Sequence, residues 1–320
     1  MLEAAVDLQA PWPVVARAGE RVEIVVIGAG GTGSQLVPHL AKLVCDFNRQ
    51  QPGEANEGAK RRASLLIVDA DSVAEKNVRA RQNFFPPEIG APKAQVLANR
   101  YGIAYHMRKD EIGALVQPFT QEILRKHYRD LLILVGCVDN AEARASIAAY
   151  LQSDSWSAVP STWYVDAGNG SHWGQVFVGN TARLSDLRGC LHAPICARLP
   201  SPALLAPSMF ETPAEPGGVA STTMRLSCGD LVLNEQEGNR QSRTINLHMA
   251  ALVYGYVEQL IYGSISTFAT YTNLRAFETH SVPVTPASLS RVLDVPPGFF
   301  TMHPDDEDEE GDALEEDEEE

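Results

Sequence analysis

Residues 25–40 read VVIGAGGTGSQLVPHL. An apolar run meets four glycines within six residues and passes directly into a helical pattern. Glycine tolerates backbone angles closed to other residues and lets the main chain come close to a ligand. Gly28, Gly30 and Gly33 satisfy the spacing GxGxxG between a strand and a helix. The second apolar strand, ASLLIVDAD (63–71), ends on Asp69. This order places an anion at a helix N-terminus and a carboxylate within reach of ribose hydroxyls. It points to a nucleotide without choosing one, since NAD, FAD and ATP all offer ribose and phosphate.

Outward from that loop, the strand spans 21–28 and the helix 33–48, followed by a polar loop over 48–62. A helix is expected over 91–101, with Pro92 confined to its first turn. DLLILVGCVDN (130–140) reads as another buried strand, followed by the helix AEARASIAAYL. Strands that are apolar throughout, alternating with helices, predict a parallel sheet covered on both faces. The expected fold class is therefore α/β, with a Rossmann-like, mostly parallel sheet. Residues 1–20 form an N-terminal arm and 21–179 the nucleotide-binding core. Residues 180–242, rich in proline, glycine and serine, read as a long crossover loop. Residues 243–300 complete the same domain with an apolar helix (244–263) and an antiparallel pair of strands.

Composition narrows the function classes. The chain of 320 residues carries a net charge of −15, but residues 305–320 alone hold 13 acids and no base. The rest is close to neutral, so no basic surface argues for nucleic acid. The acidic run, 301–320 with its flank, is expected to be a disordered tail, because its charges repel and it has little to bury. No apolar run is long enough to cross a bilayer. MLEAAVDLQAPW has acids where a signal peptide needs a basic start, so a cytoplasmic location is expected. Cys45, Cys137, Cys190, Cys196 and Cys228 form no CxxC pair, which argues against a disulfide framework or a four-cysteine zinc site.

The residues after the second strand separate the nucleotides. Asn77, Arg79, Arg81, Gln82 and Lys93 follow within one segment. A nicotinamide site needs a flat apolar slot and has no use for several cations there. Cleavage of a triphosphate does, because fixed Arg and Lys stabilise charge that migrates to the leaving pyrophosphate. Asp139, at the carboxyl edge of the 130–140 strand, suits Mg²⁺, which takes oxygen ligands and substrate phosphates.

The order GxGGxG, DxD, N…RQ, PK, DN…R resembles the ThiF family, nucleotidyl-transferring enzymes that activate ubiquitin-like proteins and sulfur carriers. The resemblance covers about 21–179 and, less closely, 244–283. The ending TNLRAFETHSVPV is nearer to the bacterial mobile-element and defence-associated branch than to the housekeeping thiamin or molybdopterin enzymes. The resemblance implies that Gly28, Gly30, Gly31 and Gly33 line the phosphates of ATP. Asp69 holds the ribose, and Asp71 of the same DxD motif counts as nucleotide-binding with it. Arg81 and Lys93 clamp the phosphates, Asn77 and Gln82 assist, and Asp139 binds Mg²⁺. The spacing from Asn77 to Gln82 is one residue longer than the family's, which leaves Arg79 as the alternative to Arg81. The family's N-terminal arginine motif is missing, with Arg17 or Arg21 as substitutes, and a homodimer is implied by the family alone.

The implied activity is ATP-dependent adenylation of the C-terminal carboxylate of a ubiquitin-like or sulfur-carrier protein. A thioester on Cys228 would follow for hand-over to a conjugating enzyme. Arg225, three residues before Cys228, favours a thiolate there, and an ordinary buried thiol is the alternative. Cys190, His192 and Cys196 offer part of a metal site or ordinary side chains. Cys45 and Cys137 read as core, and His248 as a satisfied histidine in a helix. The readings of another class are an NAD- or FAD-dependent oxidoreductase, which leaves Arg81, Lys93 and Asp139 without a purpose, and an inactive nucleotide-holding scaffold.

Overall fold

A computed structural model describes residues 10–16, 21–49, 62–79, 82–126, 130–153, 161–191, 196–211 and 243–301. Eight strands form one sheet: β1 (Arg21–Ile27), β2 (Arg62–Val68), β3 (Ile112–Leu115), β4 (Leu131–Gly136), β5 (Thr162–Asn169), β6 (Trp173–Gly179), β7 (Thr267–Asn273) and β8 (Glu278–Pro283). Their order is β3-β2-β1-β4-β5-β6-β7-β8. The pairings from β3 to β5 are parallel, and those from β5 to β8 antiparallel. After β1 the chain builds outward to β2 and β3, then returns to β4 on the other side of β1. The carboxyl ends of β1 and β4 thus flank a crevice.

The continuous apolar strands follow from burial on both faces. Along β1, Val22, Ile24 and Val26 enter one cluster with α1 (Gly31–Arg49), while Val25 and Ile27 enter a second. The larger cluster is completed by the helix at Lys93–Ala104 and by that at Arg243–Tyr262. The smaller one takes Ile147 and Leu151 from the helix Ala141–Ser153. In chain order the helices are α1, α2 (Glu75–Val78), α3 (Lys93–Ala104), α4 (Ala141–Ser153), α5 (Pro202–Leu205), α6 (Arg243–Tyr262) and α7 (Pro286–Leu293). Each fully buried aliphatic side chain contributes roughly 1.5–3 kcal/mol, so two clusters meeting across one sheet fix its register firmly.

The loop between β1 and α1 is set by backbone contact. Gly28 has φ +94°, and a Cβ there would lie 2.5 Å from the carbonyl oxygen of Cys137. A Cβ on Gly33 would lie 1.9 Å from the carbonyl oxygen of Gly28. Both positions need glycine, one for the turn and one for the close seat of the helix on the loop.

Residues expected as a loose crossing loop are packed where they are described. Leu187, Leu191, Cys196 and Leu199 are all buried. Val15 N–H donates to Cys196 O at 3.0 Å, and Val14 exchanges backbone bonds with Ile265 at 2.8 and 2.9 Å. The segment 10–16 is therefore stitched between the 196 region and the approach to β7. Residues 212–242 and 302–320, the remainder of the expected loop and the acidic tail, lie outside the described residues. Besides the short helices α2 and α5, the strand β3 and the helix α7 have no counterpart in the expectations from sequence. The strand β3 is four half-buried residues, IGAL. The helix α7 starts where Thr285 Oγ1 accepts the Ser288 N–H at 3.1 Å, with Pro286 in the first helical position.

The helix α1 carries Pro38 in its interior. Proline has no N–H, so the carbonyl of Ser34, four residues earlier, loses its helical donor. Asn83 supplies one: its Nδ2 donates to Ser34 O at 3.2 Å and to Tyr101 Oη at 2.8 Å, and its N–H donates to Ser34 Oγ at 3.0 Å. Ser34 is fully buried. Asn83→Ala should therefore cost about 1–3 kcal/mol of unfolding free energy, the penalty for a buried carbonyl left without a donor. Pro38→Ala restores the N–H and should recover part of that loss, which a double-mutant cycle by urea unfolding would measure. Strict additivity of the two changes would refute this account.

Candidate active site

The crevice opens into a cleft of about 900 Å³ lined by Gly28, Gly30, Gly31, Asp69, Gln82 and Lys93 on the α1 side. Asp71 and Asp139 line it as well. Gly30 has open space where a Cβ would stand. The three glycines therefore divide the work: Gly28 turns the chain, Gly33 seats the helix and Gly30 leaves room for a ligand.

Asp69 organises the loop from its position at the end of β2. One carboxylate oxygen accepts from the Ala29 N–H at 2.5 Å and the other from the Asp71 N–H at 2.7 Å. Lys93 is the first residue of α3, with Pro92 capping it. Its N–H donates to Asp71 O at 2.9 Å and its Nζ to Asp71 Oδ2 at 2.8 Å. The lysine side chain is only 8% exposed whereas Asp71 is 71% exposed. The ammonium is thus held at the cleft by an acid that solvent reaches freely. Gln82 adjoins Asn83, so the bonds from Asn83 to α1 also fix where Gln82 stands. Among the described residues, Gln82 Oε1 is buried without a hydrogen-bond partner, an acceptor in need of a donor.

Asp139 lies in the turn from β4 to α4, at the carboxyl edge of the sheet. Its neighbour Asn140 caps α4, with Oδ1 accepting the Ala143 N–H at 2.8 Å. Among the described residues, the exposed Asp139 carboxylate has one side-chain hydrogen bond, a long one from Asn140 Nδ2 at 3.5 Å.

The other site residues expected from the sequence fall elsewhere. Asn77 is buried behind the cleft, where its Oδ1 accepts the Ala74 N–H at 2.7 Å and caps the short helix α2. Arg79 is exposed and paired with Glu75, away from the cleft lining. Arg81, Arg17, His192, Arg225 and Cys228 lie outside the described residues. Arg21 begins β1, at the opposite end of the strand from the cleft, where its N–H donates to Asp130 Oδ2 at 2.9 Å. His248 Nε2 pairs with Thr272 Oγ1 at 3.1 Å and is satisfied away from the cleft. Cys196 Sγ donates to Arg198 O at 3.0 Å, and the nearness of the two thiols moves Cys190 upward and Cys196 downward. No group of three or more metal-ligating side chains occurs among the described residues.

Beneath the cleft floor is a polar cluster of which the sequence motifs mark only Arg144, the arginine of DN…R. Asp166, fully buried on β5, takes Arg144 Nε at 3.2 Å on both oxygens and Tyr164 Oη at 2.6 Å. Burial works against the Arg144 charge, but Asp166 and the nearby Asp139 hold it protonated and move it upward. Burial and Asp166 push the Tyr164 hydroxyl well above its ordinary range. Cys137, also in the cleft lining, is pushed up to about 12 by burial and then by Asp166, so its thiol stays protonated. Gly136, the last residue of β4, makes room for the cluster: a Cβ there would lie 2.9 Å from both Asp166 Oδ1 and Tyr164 Oη. One signal was present in the sequence, an acid inside the otherwise apolar strand TWYVDAGN, since a buried carboxylate requires a partner. A second link joins the phosphate-loop helix to the far wall. Thr32 Oγ1 donates to Asn169 Oδ1 at 3.2 Å, and Asn169 Nδ2 donates to the buried Asn246 Oδ1 at 3.0 Å.

The comparisons with known proteins follow the same lines. The NEDD8-activating enzyme E1 catalytic subunit of Saccharomyces cerevisiae is 29% identical over 125 residues, which is 39% of this chain and 36% of that one. The crystal structure of PaaA overlaps 83% of this chain and 64% of its own at 12% identity, with a TM-score of 0.48. That of E. coli MccB with ATP overlaps 82% and 63% at 13% identity, with a TM-score of 0.47. The chain thus spans about a third of the curated relative and under two thirds of these two structures. The model of the ThiF family matches residues 9–230, from the segment before β1 to beyond α5. This chain belongs to the ThiF family.

Proposed function

We propose that the chain adenylates a C-terminal carboxylate on a ubiquitin-like protein, using ATP and Mg²⁺. The observation that carries this reading is the convergence of Gly28–Gly31, Asp69, Gln82, Lys93 and Asp139 on one cleft. Membership of the ThiF family and the name of the yeast relative support a protein substrate of the ubiquitin-like class. The residues fit the nucleotide. Gly30 leaves space at the N-terminus of α1, where the helix favours anions. Lys93 adds a fixed positive charge at the cleft, and Gln82 lines the same wall. Asp139 fits Mg²⁺, being an exposed carboxylate that no cation among the described residues contacts directly. Bound Mg²⁺ supplies a counter-charge for the phosphates.

In the proposed step, a carboxylate oxygen of the substrate forms a bond to the α-phosphorus, and the bond to the bridging oxygen of the β-phosphate breaks. Pyrophosphate leaves with the electron pair, and an acyl-adenylate remains. A C-terminal carboxylate is ionised near neutral pH, so the step needs no general base. The chain would contribute position and charge: the α1 N-terminus and Lys93 would hold the phosphates, with Arg81 as the further clamp that the family resemblance implies. Such preorganised charge is worth most where it meets charge that develops during reaction.

Thermal unfolding with Mg·ATP and, separately, NAD⁺ tests the nucleotide. At about 100 times its dissociation constant, a ligand specific to the folded state stabilises by about 2.7 kcal/mol. Mg·ATP should stabilise and NAD⁺ should not, whereas the reverse would return the glycine loop to a dinucleotide. Lys93→Ala should lower ATP–pyrophosphate exchange by about 10²–10³-fold, the usual cost of one transition-state contact. Asp139→Asn should raise the Mg²⁺ concentration needed for exchange, and exchange in both variants at the wild-type rate would refute the site. Incubation with a candidate ubiquitin-like protein tests Cys228, because Cys45 and Cys196 are buried and the Cys137 and Cys190 thiols are pushed upward, toward the protonated form. A hydroxylamine-sensitive adduct lost in Cys228→Ser would establish the thioester, and adenylate without an adduct would show that the enzyme stops at the first step.

A further inference from the structure

Arg144 has a role at the cleft that its burial alone does not explain. Its side chain is 10% exposed and reaches three backbone or side-chain partners at once. Nε faces both oxygens of Asp166 at 3.2 Å, and Nη2 donates to Val138 O at 2.8 Å and meets Ala167 O at 3.5 Å. Val138 immediately precedes Asp139, and Ala167 immediately precedes Gly168 of the opposite wall. One guanidinium therefore ties the turn carrying Asp139 to the end of β5.

Asp139 needs such a tie. Its carboxylate is exposed and, among the described residues, meets only Asn140, at 3.5 Å. Its direction is set by the backbone on either side, which is pinned at Val138 by Arg144 and at Asn140 by the cap on α4. Asp166 has no other cation within contact among the described residues, and Tyr164 Oη holds it in place from below at 2.6 Å. The glycine at 136 is required by this same cluster, since any Cβ would collide with Asp166 and Tyr164.

We propose that Arg144, oriented by Asp166 and Tyr164, is a positioning residue that aims Asp139 at the metal-binding side of the cleft. The proposal rests on the reading of Asp139 as the Mg²⁺ ligand and goes beyond it by assigning what directs that ligand. Arginine suits this task because its planar fork addresses a carboxylate and a carbonyl together. A lysine would keep the charge near Asp166 but could not hold both partners in one geometry.

The test uses the full chain and follows the Mg²⁺ concentration that half-saturates ATP-dependent thermal stabilisation, a readout independent of turnover. Changes to a group that orients a metal ligand commonly cost about 10–100-fold in metal affinity. Arg144→Lys should raise the half-saturating Mg²⁺ by about 10-fold, at the lower end of that range. In ATP–pyrophosphate exchange the same variant should lose kcat more than it changes the KM for ATP at saturating Mg²⁺. Tyr164→Phe deletes one hydrogen bond while keeping Arg144, and should move the Mg²⁺ requirement in the same direction by less. If Arg144→Lys does not fold, Tyr164→Phe carries the test by itself. A lower melting temperature with an unchanged Mg²⁺ requirement would assign the cluster to packing alone and overturn the proposal. Asp139→Asn separates the two levels. If it leaves the Mg²⁺ requirement unchanged, the metal reading falls and this proposal with it; if it raises that requirement while neither cluster variant does, only the proposal falls.

Discussion

The close seat of α1 on the loop after β1 is the constraint on which the site depends. Gly33 has no room for a single carbon atom against the carbonyl of Gly28, and Gly28 has none against the carbonyl of Cys137. Three backbone segments, from β1, α1 and β4, therefore meet at contact distance. The N-terminus of α1 then points into the crevice left where the chain reverses direction between β1 and β4. A helix N-terminus carries partial positive charge and free N–H groups, and its use for anions requires only that nothing fill the space before it. Gly30 leaves that space.

Around this centre the charges are arranged by elements of different kinds. Lys93 is delivered by the first residue of a helix, Asp69 by the end of a strand, and Asp139 by the turn between a strand and a helix. Their separation in sequence explains why the cleft has a cation on one side and a carboxylate open to solvent on the other. The ion pair of Lys93 with Asp71 is instructive. Its acid is mostly exposed, so solvent screens the pair and its net worth is small. What the contact achieves is location, because the lysine stem is buried while its charge faces the cleft. Two opposite charges at different depths make the deeper one available to a ligand that arrives from solvent.

Much of this was legible in sequence because it rests on local patterns. The run 131–136 is wholly apolar and 22–27 is interrupted only by the buried Glu23, and a sheet covered on both faces needs such strands. The loop, the acid ending β2 and the lysine opening α3 are each tied to a boundary between elements, and boundaries leave marks in glycine, proline and charge. Other features left no such mark. The four residues of β3 acquire strand geometry by pairing with β2, and nothing in IGAL requires it. Asn77 looks like a ligand-binding residue in its motif, yet its side chain caps the helix in which it sits. The helix α7 is different again. Its threonine cap and proline at the first position form a recognisable start signal, overlooked beside the stronger apolar pattern of α6.

The buried cluster of Arg144, Asp166 and Tyr164 shows why long-range polar contacts escape such reading. Asp166 stands in a strand whose other residues belong to the core, and replacing a buried ion pair by apolar groups of similar volume is often neutral or stabilising. Stability alone therefore gives little reason to keep a charge there. A guanidinium buried at that point can, however, grasp the carbonyls of Val138 and Ala167 from within, which no apolar side chain could do. Those carbonyls belong to the two strand ends that border the cleft. The polar interior and the open cleft are thus two sides of one arrangement: the cluster bonds the carbonyls of Val138 and Ala167, and those segments border the cleft that carries Asp139.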